Sequence, residues 1–99
     1  MGIYIQVLHL QKRTKVNLLK IFNVLKSYRS MHIRGIARVA KMHPITVSTL
    51  VSRLDSFFVT EKREVVPGFT AKIVSLKNPD VTIADVERYL EVKKQIRGF

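Results

Sequence analysis

The sequence contains no cysteine, which excludes disulfides, thiolate metal sites and cysteine nucleophiles from this chain. Its three histidines, His9, His32 and His43, do not have the spacing of metal ligands. A phosphate-cradling glycine loop and a nucleophile elbow are also missing. Because an enzyme needs placed acids, bases or nucleophiles, we expect no catalytic activity, no cofactor and no bound metal.

Long hydrophobic runs are missing as well, and every apolar stretch is too short to cross a bilayer. The opening residues MGIYIQVLHLQKRTK do not fit a secretory signal, because the charge follows the apolar run and no small-residue cleavage site appears. The lack of cysteine is compatible with a reducing cytoplasm. We therefore expect a cytoplasmic protein that does not bind membranes.

Acidic residues are absent until Asp55, and the whole chain carries 18 Lys and Arg against 7 Asp and Glu. A formal net charge of +11 attracts polyanions and speeds their association. No predicted helix is basic on one face and aromatic on the other, so nucleic acid is a better expected partner than a membrane surface. The basic residues before Asp55 are Lys12, Arg13, Lys15, Lys20, Lys26, Arg29, Arg34, Arg38, Lys41 and Arg53.

The length of 99 residues predicts one domain, 1–99, and a hydrophobic content of 46% is ample for a packed core. The sequence has no internal repeats and no low-complexity segments. A chain this short buries its surface inefficiently, so association with a second copy would help to stabilise it.

Two short helices with a sharp turn between them are predicted from Ile33 to Val59, in the run IRGIARVAKMHPITVSTLVSRLDSFFV. Proline suits the first position of a helix, so the second helix is expected to begin at Pro44. Two helices that cross steeply over such a turn can push the second one into a DNA groove. The residues predicted to face inward are Ile33, Ile36, Ala37, Ala40, Val47, Leu50, Val51 and Leu54.

The outer side of the second helix is rich in hydroxyls rather than in the Glu and Lys pairs of an ordinary solvated face. Small hydroxyl side chains cost some helix propensity, yet they fit against a nucleic-acid backbone and can bond phosphates or base edges. The residues predicted to face outward are Thr46, Ser48, Thr49, Ser52 and Arg53.

This run resembles the winged helix-turn-helix of small prokaryotic transcription regulators of the MarR, ArsR and Lrp-like kind, and the likeness covers about residues 16–76. The resemblance implies an α+β fold with a three-helix core, a β-hairpin wing, an N-terminal strand and a C-terminal helix. The recognition helix would span about 44–57, and the wing about 58–76 around Pro67-Gly68. Two residues depart from the pattern: Gly35 lies inside a helix, and His43 stands where Ser or Thr often caps the recognition helix.

The segments before the motif are predicted to complete the same domain. Ile3 to Leu10 is apolar on both faces and indicates a strand or a short helix, either tucked against its own domain or paired with a second subunit. Thr14 is expected to cap a helix that ends near Tyr28 with that tyrosine on its inner side. Ser30 to His32 is expected to be a short connector, either irregular or extended.

A C-terminal helix over about 82–97 is predicted to begin with Thr82 and Asp85 in a capping arrangement. Its large apolar residues recur at steps of three and four, which requires a surface on which they dock. That surface is either its own domain or a second copy, and in the resembling families such a helix often builds the dimer interface. We therefore expect a homodimer formed through this helix, the N-terminal segment or both.

These features together predict a sequence-specific, double-stranded DNA-binding transcription regulator, nucleoid-associated and compatible with an archaeal or viral source. The recognition helix would enter the major groove, while the wing and a basic link, residues 12–15, contact phosphates. The alternatives are a non-specific architectural protein that coats DNA and a winged helix that binds protein. The expected DNA contacts are Pro44, Thr46, Ser48, Thr49, Ser52, Arg53, Lys62, Arg63, Lys72, Arg34, Lys41, Lys12, Arg13 and Lys15.

Overall fold

The computed structural model describes the backbone of residues 11–97 and the side chains of residues 11–92. This part of the chain is an α+β arrangement of four α-helices and a three-stranded antiparallel sheet, compatible with a winged helix. The predicted segment Ile3 to Leu10 lies outside the described residues. The elements are α1 (Lys12–Tyr28), β1 (Ser30–His32), α2 (Ile33–Ala40), α3 (Pro44–Arg53), a 3₁₀ turn (Asp55–Phe57), β2 (Phe58–Val66), β3 (Phe69–Leu76) and α4 (Ile83–Arg97).

Helix α1 begins earlier than the sequence predicted, so residues 12–15 form its first turn and not a link. Gln11 is the N-cap without a side-chain hydrogen bond, and the Lys15 amide donates to the Gln11 carbonyl at 2.9 Å. The prediction that Thr14 caps this helix is therefore wrong. In this described first turn no residue is acidic, and its lysines and arginine oppose the positive end of the helix dipole.

The hydrophobic core lies between α1, α2, α3 and the inner face of the sheet. The ring of Phe22 in α1 lies 6.0 Å from that of Phe58 at the start of β2. Tyr28, predicted to face inward, is instead 57% exposed, because α1 runs past the core and residues 26–30 are all exposed. The largest fully buried side chains are Phe22, Leu18, Ile21, Ile36, Val47, Val51, Val74 and Val86.

The sheet has the strand order β1-β3-β2, and both neighbours run antiparallel to the central β3. The segment expected to be a connector is strand β1, which pairs with β3 through Met31 opposite Val74. Because α2 begins directly after β1, this pairing fixes where the first helix of the motif starts.

Strands β2 and β3 form the predicted hairpin around the two-residue turn Pro67-Gly68. Gly68 has a φ of +80°, a left-handed value that glycine adopts without steric cost. A register shift between Glu64 and Val66 marks a β-bulge near the turn. Every residue from 60 to 70 is exposed, so the outer half of the hairpin projects beyond the core.

The turn between α2 and α3 is short, as the sequence predicts. Lys41 has left-handed backbone angles, with φ 57° and ψ 52°, and the Met42 amide returns to the Ala37 carbonyl at 2.8 Å. Helix α3 ends at Arg53, several residues before the predicted end, because Leu54 leaves helical geometry with φ −114° and ψ 38°. The 3₁₀ turn then leads directly into β2.

Helix α4 docks on its own domain. Thr82 and Asp85 form the predicted capping arrangement, with amide to side-chain oxygen distances of 3.0 and 3.3 Å. Val86 is fully buried, and the Tyr89 ring lies edge-on to an aromatic ring of the 3₁₀ turn, with centroids 5.2 Å apart. Val86 and Tyr89 therefore pack within their own chain and do not require a second copy. Val92 remains half-exposed.

Gly35 occupies a place in α2 where a side chain does not fit. A Cβ at this position would lie 2.7 Å from Met31 Cγ and 2.8 Å from His32 Cε1. The glycine that departs from the family pattern therefore allows the side chains of β1 to pack against the helix that follows.

Replacing Gly35 with alanine is expected to destabilise the fold by about 1 kcal/mol, because overpacking outweighs the gain in helix propensity. Denaturant unfolding of G35A and of the wild type measures the difference. Met31→Ala removes one of the two side chains that the new methyl group would meet, the other being the exposed His32. The double variant should therefore lose less than the sum of the single losses. Additive losses would show that Met31 does not restrict this position.

Candidate nucleic-acid interface

Helix α3 buries its apolar side in the core and leaves the opposite side open to solvent. All the positions predicted to face inward on this helix are buried. Of the six predicted contact residues on this helix, three are exposed and three are half-buried at its edges. The exposed ones are Thr49, Ser52 and Arg53, and the half-buried ones are Pro44, Thr46 and Ser48.

Ile45 was not among the predicted contacts, although it is 69% exposed. It lies four and seven positions before Thr49 and Ser52, so the three share one face of the helix. This spacing was visible in the sequence and could have identified the isoleucine. We call Ile45, Thr49, Ser52 and Arg53 the outer ridge.

His43 caps the start of α3 through its side chain. Its Nδ1 accepts a hydrogen bond from the Ile45 amide at 3.1 Å, and Pro44 occupies the first helical position. An unprotonated ring nitrogen thus does what a Ser or Thr oxygen does at other helix starts. The cap fixes the end of the helix from which the outer ridge begins.

A groove of about 760 Å³ lies between α1 and the start of α3. Arg13 and Lys20 line it from α1, and Lys41 lines it from the turn before α3. We call it the basic groove, since the described residues that line it include no carboxylate. The groove lies at the start of α3, where the positive end of the helix dipole adds to its positive potential. Its lining residues are Arg13, Val16, Asn17, Lys20, Lys41, Met42, His43 and Thr46.

A second groove of about 260 Å³ continues along α1 and α3 and ends at Arg53. It shares Asn17 and Thr46 with the basic groove, so the two are continuous. The cations of the basic groove therefore lie beside the start of the outer ridge, and Arg53, a member of the ridge, lies at its end. The lining residues are Thr14, Asn17, Ile45, Thr46, Thr49, Leu50 and Arg53.

Two lysines oppose each other across the hairpin. Lys62 pairs in register with Lys72, and neither has an acidic partner within salt-bridge distance in the described part of the chain. Like charges directly opposite each other destabilise a strand pair. A negatively charged partner beside the two lysines would offset this repulsion.

The other predicted cations differ in how far their charge is balanced within the chain. Arg63 forms an ion pair with Glu61 on the opposite hairpin face from Lys62, and Lys15 Nζ lies 2.9 Å from a carboxylate oxygen of Glu87. We leave these two out of the proposed interface. Lys12 and Arg34 are exposed, and Arg34 lines a groove of about 260 Å³ together with Lys72 and residues of the hairpin turn region.

No group of three or more His, Cys, Asp or Glu among the described residues could hold a metal ion, and no described helix could span a membrane. Comparisons with protein families, with curated proteins and with solved structures find no match to this chain. The likeness to winged helix-turn-helix regulators therefore stays a prediction from the residues.

The His43 cap can be tested by substitution. His43→Ala should cost about 1 kcal/mol of stability, because the Ile45 amide loses its acceptor, whereas His43→Asn should retain most of it. Thermal or denaturant unfolding of both variants measures the difference. Equal losses in the two variants would contradict a capping role.

Proposed function

We propose that this protein binds double-stranded DNA and acts as a sequence-specific transcription regulator. Helix α3 enters the major groove with its outer ridge, and the β2-β3 hairpin serves as the wing. The observation that carries the proposal is the exposed, hydroxyl-bearing ridge of α3, bordered by grooves that contain cations and, among the described residues, no carboxylate.

The dimensions and side chains of α3 suit the major groove. A helix of about 10–12 Å diameter fits a groove about 12 Å wide, and short side chains let it approach closely. Thr49 and Ser52 can donate to or accept from base edges, and Arg53 can contact a guanine or a phosphate. Ile45 offers an apolar contact for the methyl group of thymine.

Cations beside the ridge supply the contacts to phosphates. The proposed set is the basic groove, the opposed lysines of the hairpin and the exposed arginine at the start of α2. With about six phosphates neutralised, log K should fall with log salt concentration at a slope of about −5. The six residues are Arg13, Lys20, Arg34, Lys41, Lys62 and Lys72.

A homodimer remains a prediction of the sequence. Among the described side chains of α4, Ile83, Val86 and Leu90 pack on the core of their own domain. Val92 is half-exposed and is a candidate for a contact with a second copy. If the protein binds as a dimer, its site should be pseudo-palindromic with half-sites about one helical turn apart. A single half-site should then bind one copy weakly.

The charge excess also favours a second candidate, a non-specific architectural protein that coats DNA. Selection of binding sites from random duplex DNA distinguishes the two. A regulator should bind its selected site about 10³-fold or more tighter than random duplex, whereas a coating protein should gain little. If no duplex binds even at low salt, both candidates fail and a protein-binding role takes their place.

Arg53→Ala is expected to weaken binding to the selected site about tenfold or more, because this side chain lies at the end of the outer ridge. Arg88→Ala is the control, since Arg88 is an exposed arginine on α4 that lines neither of the two grooves beside the ridge. Fluorescence anisotropy at fixed salt measures both. Equal effects would mean that net charge alone governs binding.

Two substitutions at Lys41 separate its effect on DNA binding from its effect on stability. Lys41→Gly should raise the free energy of unfolding by about 1 kcal/mol, because glycine tolerates the left-handed backbone, yet it should weaken DNA binding through loss of the cation. Lys41→Gln loses the same cation without relieving the backbone. The account predicts equally weakened binding in both variants and added stability only in the glycine variant; unchanged affinity would remove Lys41 from the interface.

A further inference from the structure

The tip of the β2-β3 hairpin is apolar and exposed. Val65, Val66 and Phe69 are 58%, 54% and 61% exposed, and Pro67 lies between the two strands. The bulge after Glu64 sets both valines against Phe69 on the partner strand. We call these four apolar residues the apolar tip.

The apolar tip lies far from the core and contributes nothing to it. Val74 is the buried residue of β3, and Phe69 precedes it by five positions. At about 3.4 Å per residue, the tip projects roughly 17 Å beyond that point. The cross-strand pair of Val66 and Phe69 helps to hold the ribbon together, yet both side chains remain more than half exposed. The tip therefore leaves apolar surface open to a partner.

The surroundings of the apolar tip are mainly cationic. Lys62 and Lys72 oppose each other further back along the ribbon, and Arg34 lines the same groove as Phe69. Of the two nearby carboxylates, that of Glu61 is paired with an arginine, whereas that of Glu64 has no ion-pair partner among the described residues. An apolar tip flanked by cations is complementary to a partner with a narrow cleft. The edges of that cleft would be negatively charged and its interior apolar.

We propose that the apolar tip is a wedge that enters the minor groove of duplex DNA, opens a base step and bends the duplex. The inference rests on the proposed DNA binding. The ribbon is broader than the minor groove of B-DNA, which is about 6 Å wide, so only the turn leads and the groove widens as the base step opens. The flanking lysines then contact phosphates on the rims of the groove. The wedge inserts best at TA steps, because these unstack easily.

An anionic bilayer has a similar chemistry, with charged headgroups above an apolar interior. The structure favours the duplex, because the same domain carries the hydroxyl-bearing outer ridge and the basic groove, which a bilayer would leave unused. Binding to vesicles is therefore an outcome of the test and not part of the proposal.

The test uses a duplex with a central TA step, 2-aminopurine next to that step and a donor and acceptor dye at its ends. Wild-type protein should raise the 2-aminopurine fluorescence, since the base unstacks, and should shorten the distance between the dyes. The variant Val66→Thr with Phe69→Thr keeps residues that favour strands. It should bind about tenfold more weakly, without the fluorescence rise or the bend, and with an unchanged salt slope.

Two control variants separate the wedge from charge and from hairpin folding. Val59→Thr changes an exposed valine on β2 far from the tip and should leave fluorescence and bend unchanged. Lys62→Gln with Lys72→Gln should reduce the salt slope by about 1.8 while retaining the fluorescence rise once bound. Circular dichroism and thermal unfolding show whether each variant keeps its fold.

Each outcome bears on a different claim. If the wild type binds the duplex but the tip variant gives the same fluorescence, bend and affinity, the wedge is wrong and the proposed DNA binding stands. If the wild type binds no duplex, both are wrong. If the tip variant loses only binding to anionic phosphatidylserine vesicles and keeps its effect on DNA, the tip belongs to a membrane contact and the wedge is overturned.

Discussion

The burial of the apolar side of α3 is the interaction on which the rest of the structure depends. Val47 and Val51 are fully buried, and each such side chain contributes about 1.5–3 kcal/mol relative to an exposed one. Turning the helix by half a turn would expose them and bury the hydroxyls of Thr49 and Ser52 without partners. The core thus determines which residues form the outer ridge, and the ridge follows from packing rather than from the choice of its own side chains.

Positive charge is the second constraint, and it opposes the fold. The first turn of α1 places cations at the positive end of a helix dipole, and Lys62 faces Lys72 across the hairpin. Only some of the surplus is balanced internally, as at Lys15 with Glu87. Repulsion of this kind lowers stability in the free protein and is relieved when a polyanion lies against the same surface. The repulsive charges at the start of α1 and across the hairpin are thus the features that the proposed partner would relieve.

Much of the fold could be predicted from the sequence, because it is set by strong local patterns. Apolar spacing identified the buried sides of α2 and α3, Pro67-Gly68 identified the hairpin, and Thr82 with Asp85 identified the start of α4. Each of these signals comes from residues only a few positions apart in the sequence. No knowledge of contacts between distant residues is required to identify these elements.

The features that the sequence did not reveal depend on contacts between distant residues. Strand β1 is three residues long and exists because β3 pairs with it. The need for Gly35 arises from the side chains of β1, and the ion pair of Lys15 joins α1 to α4. Helix α1 starts earlier than predicted. Its N-cap, Gln11, makes no side-chain hydrogen bond, so the sequence carries no capping signal at the true start. At the candidate site, Ile45 has the helical spacing of the exposed face, but an apolar side chain gives no polar signal of a contact with DNA.

The central claim is that the outer ridge of α3 lies against a DNA duplex. The most direct measurement is a titration of ¹⁵N-labelled protein with a short selected duplex, followed by the amide resonances in NMR spectra. The account predicts the largest changes at residues 45–53 and at the hairpin, with smaller ones along α4. Changes spread evenly over all exposed cations, or absent from α3, would contradict it.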